Sequence, residues 1–319
     1  MRKTSTIVGL GFAVPWLIGF VFLFLWPFAA SLYWSFCDFD LVNPPTAVGF
    51  ENYRRIADDV WQGRGFGLAV GNTLYYVAFS VPLSIAVGVI LASTLSQDIR
   101  GQGVFRTIVY LPSVLPVVAV SILWLWIMDP QRGWANWLLE GLGLPPQNWL
   151  TQSRSLFSPE SLALAVREPL GNWQLAGAKD ALILLTLWGV GNYMVIYLAA
   201  IKDVPAALYE AAKIDGAGPI RRFWTITLPM LSPVLFFHLV IGLIRGVQTF
   251  TSVYVLSEGT GEPGGSLMMI SLQLFKSAFA DLQVGYASAM AWIVLVILAG
   301  ITYWLFQSSR HWVHYRVLN

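Results

Sequence analysis

Six stretches of the chain are long, apolar and almost free of charge, and shorter segments rich in polar residues, proline and glycine separate them. They run over residues 7–32, 68–95, 107–128, 181–201, 232–256 and 284–307, and Arg245 is the one charged side chain inside them. Crossing about 30 Å of hydrocarbon at 1.5 Å per residue takes about 20 residues, so each run is long enough to span as a helix. The runs are apolar on most faces, whereas a β-barrel would alternate polar and apolar positions over segments of about ten residues. The pattern predicts an all-α membrane protein, a six-transmembrane-helix bundle read as a single domain over residues 1–319. Pro15, Pro27, Pro82, Pro112, Pro116 and Pro233 fall in or near the spans and predict kinks rather than breaks.

The connecting segments have their own signals. Asn43, Pro44 and Pro45 lead into an amphipathic stretch near Glu51 to Trp61, which predicts an interfacial helix. The longest connection, 129–180, carries Trp134, Trp137, Trp149 and Trp173, read either as interface anchors or as a partner-binding surface. Arg2 and Lys3 precede an apolar run longer than the h-region of a signal peptide, so the first helix is expected to be retained.

Composition agrees with a membrane solvent. Of the 319 residues, 56% are hydrophobic and 11% charged, against roughly 25% charged in an ordinary soluble domain. A mean hydropathy of +0.64 leaves no polar shell for a soluble globule of this size. A net charge of +2 is too small for a phosphate-neutralising surface, so no nucleic-acid partner is expected. Cys37 is the single cysteine, which excludes an intramolecular disulfide and a thiolate metal site built from this chain alone.

The distribution of charge matters more than its sum. With the N-terminus inside, the cytoplasmic segments hold ten basic and four acidic residues, and the external segments eight and thirteen. Lys and Arg favour the cytoplasmic side, so both termini are expected in the cytoplasm. The loop 202–231 then faces a cytoplasmic partner.

That loop predicts a short helix, a glycine stop and a second short helix. Pro205 suits a first helical turn, and residues 206–214 are mostly good helix formers. Gly216 can adopt the left-handed conformation that ends a helix, and Gly218-Pro219 prevents simple continuation. Leu208, Ala211, Ala212 and Asp215 fall on one side, giving a small helix across the base of the bundle.

Glu210-Ala211-Ala212, three residues, Gly216, nine residues, then Ile226-x-Leu228-Pro229 matches without a gap the EAA motif of permease subunits of binding-protein-dependent ABC importers. More narrowly, the chain resembles the carbohydrate-uptake permeases of the maltose and glycerol-3-phosphate type. Gly49-Phe50-Glu51-Asn52-Tyr53, Asn72-Thr73-Leu74, Phe105-Arg106-Thr107 with Leu111-Pro112, and Gly285-Tyr286-Ala287-Ser288-Ala289 extend the resemblance over nearly the whole chain. The segment 129–180 is longer than usual for that family.

The resemblance implies the type I ABC importer permease fold in a bacterial or archaeal plasma (inner) membrane. It implies that Glu210, Ala211, Ala212, Asp215 and Gly216 form a coupling helix held in a groove of a cytoplasmic ATPase. The implied partners are a second homologous permease, two ATPase subunits, an external solute-binding protein, membrane lipid and a carbohydrate or polyol substrate. No cofactor is expected on this chain, with ATP and Mg bound by the ATPases, and the chain itself is not expected to be an enzyme. A Walker A loop needs Gly-Lys-Ser/Thr, and no lysine here follows a glycine. His311 and His314 lie in the basic tail, where interfacial solvation is expected, and the lone His238 is expected to be packed and hydrogen-bonded.

Arg245 needs compensation inside a span. Gln248, Thr249 and Ser252 follow at i+3, i+4 and i+7, so a continuous helix would put all four on one face. Two readings stand: the face lines an aqueous path for a polyhydroxylated solute, or Arg245 snorkels or pairs with a neighbouring subunit while the other groups join helices. Asn192 and Tyr193 would add an amide and an aromatic face to such a path. The alternatives to an importer subunit are an ion-coupled secondary transporter, which should bury several ionisable groups, and a non-transporting scaffold or receptor, which does not require the 210–229 spacing.

Overall fold

The computed structural model describes residues 12–97, 99–156, 158, 161 and 176–314. Residues 7–11 of the first predicted span, Arg2, Lys3, Asp98, Trp173 and Arg316 lie outside the described residues. In chain order the helices are α1 Phe12–Ser35, α2 Glu51–Gln62, α3 Phe66–Leu95, α4 Gln102–Val114, α5 Val117–Ile127, α6 Trp134–Gly141, α7 Ala178–Trp188, α8 Gly191–Lys202, α9 Ala206–Ile214, α10 Pro219–Val247, α11 Thr251–Leu256, α12 Ile270–Phe275 and α13 Val284–Trp312. A two-residue antiparallel ladder pairs Cys37 with Ala47 and Asp38 with Thr46. Among the described residues, α1, α3, α10 and α13 are each long and apolar enough to cross a membrane, and the count reaches six when the bent pairs α4 with α5 and α7 with α8 are each taken as one span.

The third predicted run, 107–128, is broken rather than kinked, with 103° between α4 and α5. Pro116 forces Leu115 out of the helical region, to φ −71° and ψ 144°. The fourth run bends by 46° at Gly189 and Val190. The predicted second short helix of the loop 202–231 is instead the start of α10, which runs on from Pro219 into the span. Its residues 223–227 are wound as a π-helix, because Pro229 has no N–H for the Thr225 carbonyl. Pro233 frees the Pro229 carbonyl in the same way, and the Ser232 hydroxyl donates to it at 2.6 Å. At its far end α10 stops at Val247, so the predicted continuous helix 232–256 is interrupted at residues 248–250.

The chain forms two compact units. One contains residues up to Gly67 together with Gln273–Ile297. There the predicted amphipathic helix, α2, turns Asn52, Tyr53, Ile56 and Asp59 inward and ends at Gly63, which takes φ +62°. Asn52 donates to the carbonyls of Ser35 and Cys37 at 3.0 and 2.9 Å, and so closes the end of α1. Gly285 sits against the Cys37 carbonyl with no room for a Cβ. The Tyr286 hydroxyl donates to Asp59 at 2.5 Å, and the Arg55 guanidinium lies 4.2 Å over the Tyr286 ring.

The other unit contains Leu68–Leu272 and the chain from Leu298 onward. Asn72, which is buried, donates to the carbonyls of Gly265 and Met268 and accepts from Lys179. Thr73 accepts the Ile270 N–H at 3.0 Å. At the opposite end of α3, Gln102 and Arg106 both donate to the Leu95 carbonyl, one of the carbonyls the helix end leaves open. In the segment 129–180, the buried Asn136 bonds Pro130, Gln147 and the Trp149 indole. Trp149 is therefore a packed residue beside Met128 and Ala181 rather than an interface anchor, while Trp134 and Trp137 are exposed.

Candidate functional site

Two features of the second unit carry candidate chemistry. The first is the hairpin between α8 and α10. Helix α9 begins after Pro205 and ends in a Schellman motif: the Gly216 N–H donates to Lys213 at 3.0 Å and the Ala217 N–H to Ala212 at 2.8 Å, with Gly216 at φ +73°. A Cβ at Gly216 would meet open space, so the glycine is required by backbone conformation alone.

The helix buries none of its residues. Its packed side is Tyr209 and Ala212, with Tyr209 bonded to Thr227 at 2.9 Å, and not the whole stripe of Leu208, Ala211, Ala212 and Asp215. Leu208, Glu210, Ala211, Lys213, Asp215 and Gly216 are exposed, and Ile214 is 87% exposed. Ile220 and Trp224, on the first turns of α10, are exposed as well. The hairpin thus presents a carboxylate, small residues and isolated large apolar side chains on a rigidly closed turn.

The second feature is a cavity of about 690 Å³ walled by α3, the end of α4, α7, α8 and α10. Of the residues singled out in the sequence it brings together Asn192, Tyr193, Arg245 and Thr249. It does not include Gln248 or Ser252. The interruption at 248–250 is the reason: the shared helical face ends at Val247, Gln248 is exposed beside the break, and Ser252 is buried on α11. The Thr249 carbonyl accepts from the Ser271 hydroxyl instead of continuing the helix.

The other polar residues of the wall include Tyr76, Ser80 and Ser84, at i, i+4 and i+8 on α3, a polar stripe legible in an otherwise apolar span. Tyr110, Thr186 and His238 complete it. His238 is 2% exposed, stacks on Tyr193 with ring centroids 3.4 Å apart, and hydrogen-bonds through Nδ1 to the Tyr197 hydroxyl. The Ser84 hydroxyl lies 3.5 Å from its Nε2. That network fixes the Tyr193 ring as part of the wall.

Arg245 lies in the last turn of α10, not mid-helix, so the open carbonyls of the helix end favour its charge. A helix C-terminus returns about 0.3–1 kcal/mol to a cation. Insertion scales put an arginine at a helix centre at about 2.5–3.5 kcal/mol. At the end of α10 that cost is smaller, and the guanidinium is exposed at the cavity.

Residues 84–314 match the family of the binding-protein-dependent transport system inner membrane component. The chain is 36% identical over 317 residues to the probable ABC transporter permease protein YesP of Bacillus subtilis, covering 98% of this chain and 94% of that one. It is 35% identical over 299 residues to the diacetylchitobiose uptake system permease protein NgcF of Streptomyces coelicolor, covering 89% and 75%. Among solved structures, a chain of a bacterial alginate ABC transporter in complex with an alginate pentasaccharide-bound periplasmic protein has the same fold, with a TM-score of 0.76 at 23% identity, covering 99% of this chain and 98% of that one. By the span of the family match and the identity to its relatives, the chain belongs to the binding-protein-dependent transport system inner membrane components, the permeases of ABC importers.

Proposed function

We propose that the chain is one transmembrane subunit of a heteromeric, ATP-driven importer for a carbohydrate or related polyol. It pairs with a second, similar permease, two ATPase subunits that bind ATP and Mg, and an external solute-binding protein. Both termini are cytoplasmic, six spans cross the plasma (inner) membrane of a bacterium or archaeon, and the hairpin around Glu210 to Gly216 seats in a groove of the ATPase. Closure of the ATPases moves this hairpin and α10 with it, and so reorients the cavity walled by Asn192, Tyr193, Arg245 and Thr249 between the two sides of the membrane.

The observation that carries the reading is the exposed, glycine-closed helix α9, joined by the short turn 215–218 to α10, which runs on from Pro219 to line the cavity. A push on α9 reaches α10 through that turn and the Tyr209–Thr227 hydrogen bond, and α10 carries it to the cavity as one helix. The positive loops expected inside support the orientation. Relatives named for diacetylchitobiose uptake and for lactose transport support the carbohydrate class. Reconstitution of the complex in proteoliposomes tests the proposal: uptake is expected only with ATP and binding protein together. Uptake driven by an ion gradient without ATP would overturn it in favour of a secondary transporter.

A further inference from the structure

We infer that the solute carried by this permease is an anionic saccharide, and that Arg245 receives its acidic group; this rests on the cavity's being the solute path. Among the described residues lining the cavity, Arg245 is the one permanent charge, and no carboxylate lines it. Arg245 is exposed and makes no ion pair or side-chain hydrogen bond with any described residue, unlike Arg64 and Arg106, which bond Asp59 and Leu95. A neutral sugar is served by hydroxyls, amides and aromatic faces, and the wall has these in Asn192, Tyr193, Tyr76 and Thr249. An arginine adds something they do not: a planar fork that binds a carboxylate, sulfate or phosphate through two parallel hydrogen bonds. In a site that must release its cargo, a cation with no counter-ion among the described residues acts as a selectivity element, since it leaves a neutral solute facing a charge and an acidic one facing a partner. Tyr193, held by His238, sets a ring on the same wall for the apolar face of the sugar.

The test uses the complete transporter. Thermal shift of the cognate binding protein against matched probes, digalacturonate with galactobiose, dimannuronate with mannobiose, and glucose 6-phosphate with glucose, selects the probe for uptake in proteoliposomes. An acidic probe is expected, Arg245→Gln is expected to lower its uptake at least tenfold at low concentration, and Arg245→Lys is expected to restore part of it. Comparing the carboxylate and phosphate probes distinguishes the two acidic chemistries. Selection and transport of a neutral probe, or unchanged uptake of an acidic probe in Arg245→Gln, overturns the inference. Asn192→Leu separates this from failure of the underlying reading. If it impairs uptake of a neutral probe, the cavity stands and the acidic substrate falls; if both variants transport like the unaltered protein, the cavity itself is not the path.

Discussion

The Tyr209 hydroxyl lies 2.9 Å from the Thr227 hydroxyl and ties the exposed helix α9 to the π-wound segment of α10. Thr227 is buried, so the bond is shielded from water. Tyr209→Phe or Thr227→Val leaves one hydroxyl without its partner, at about 1 kcal/mol. The expected outcome is normal assembly with fewer solutes imported per ATP hydrolysed, measured as the ratio of uptake to hydrolysis in proteoliposomes. The double variant, which removes both polar groups, should recover part of the loss. A ratio unchanged in both single variants would show that this contact does not transmit movement.

Gly216 closes the same helix at φ +73° with open space where a Cβ would stand. Gly216→Ala should therefore cost only the left-handed conformation, about 1–2 kcal/mol, and Gly216→Asn less. Gly216→Pro also removes the N–H bonded to Lys213 and imposes a negative φ, so it should assemble poorly or uncouple hydrolysis from uptake. Co-purification with the ATPase reports the first outcome and the uptake ratio the second. Equal behaviour of the alanine and proline variants would remove the turn geometry as the cause.

Asn72 holds together α3, α7 and the turn at residues 265–268 through three hydrogen bonds. Asn72→Leu removes the donor to both carbonyls, of which Gly265 still accepts the Met268 N–H, and takes one acceptor from the Lys179 ammonium, which also lies 5.0 Å over the Tyr75 ring. A loss of about 1–3 kcal/mol follows from the Met268 carbonyl left without its side-chain donor, read as a lower Tm of the purified complex in detergent. Asn72→Asp, which still accepts from Lys179 but cannot donate to the carbonyls, should fall between.

These hydrogen bonds explain why so much of the chain was legible. The short stretches that resemble the importer permeases contain tie points: Asn52 at the end of α1, Asn72 and Thr73 at the turn 265–270, Arg106 at the end of α3, Gly285 against Cys37. Polar side chains that satisfy backbone groups in an apolar solvent leave a mark in the sequence. The break at Leu115-Pro116 was legible in kind, but a proline does not reveal whether a helix bends or turns by 103°. The stop at 248–250 was hidden because no proline marks it. Thr249, Thr251, Ser252 and Val253 are only weak helix formers, and the bond that replaces the helical one comes from Ser271, distant in sequence. One unmarked stop removed Gln248 and Ser252 from the cavity face.

The wall of the cavity also depends on a close approach of backbones, between Gly191 on α8 and the Val109 carbonyl on α4. A Cβ at Gly191 would overlap that carbonyl and the Tyr110 Cα, neither of which is the end of a flexible side chain. Gly191→Ala must push α8 away from α4, and overpacking of this kind costs about 1–3 kcal/mol. Gly189, two residues earlier at the bend, is the control, since its Cβ would meet only the Thr186 carbonyl at an ordinary 3.5 Å. The expected result is a lower Tm for Gly191→Ala and little change for Gly189→Ala. Asn192 and Tyr193 follow Gly191 directly, so displacement of α8 should also weaken uptake in the first variant and spare it in the second. Equal thermal stability of the two variants would mean that the α4–α8 contact is loose enough to admit a methyl group, and that the cavity wall is not held from this side.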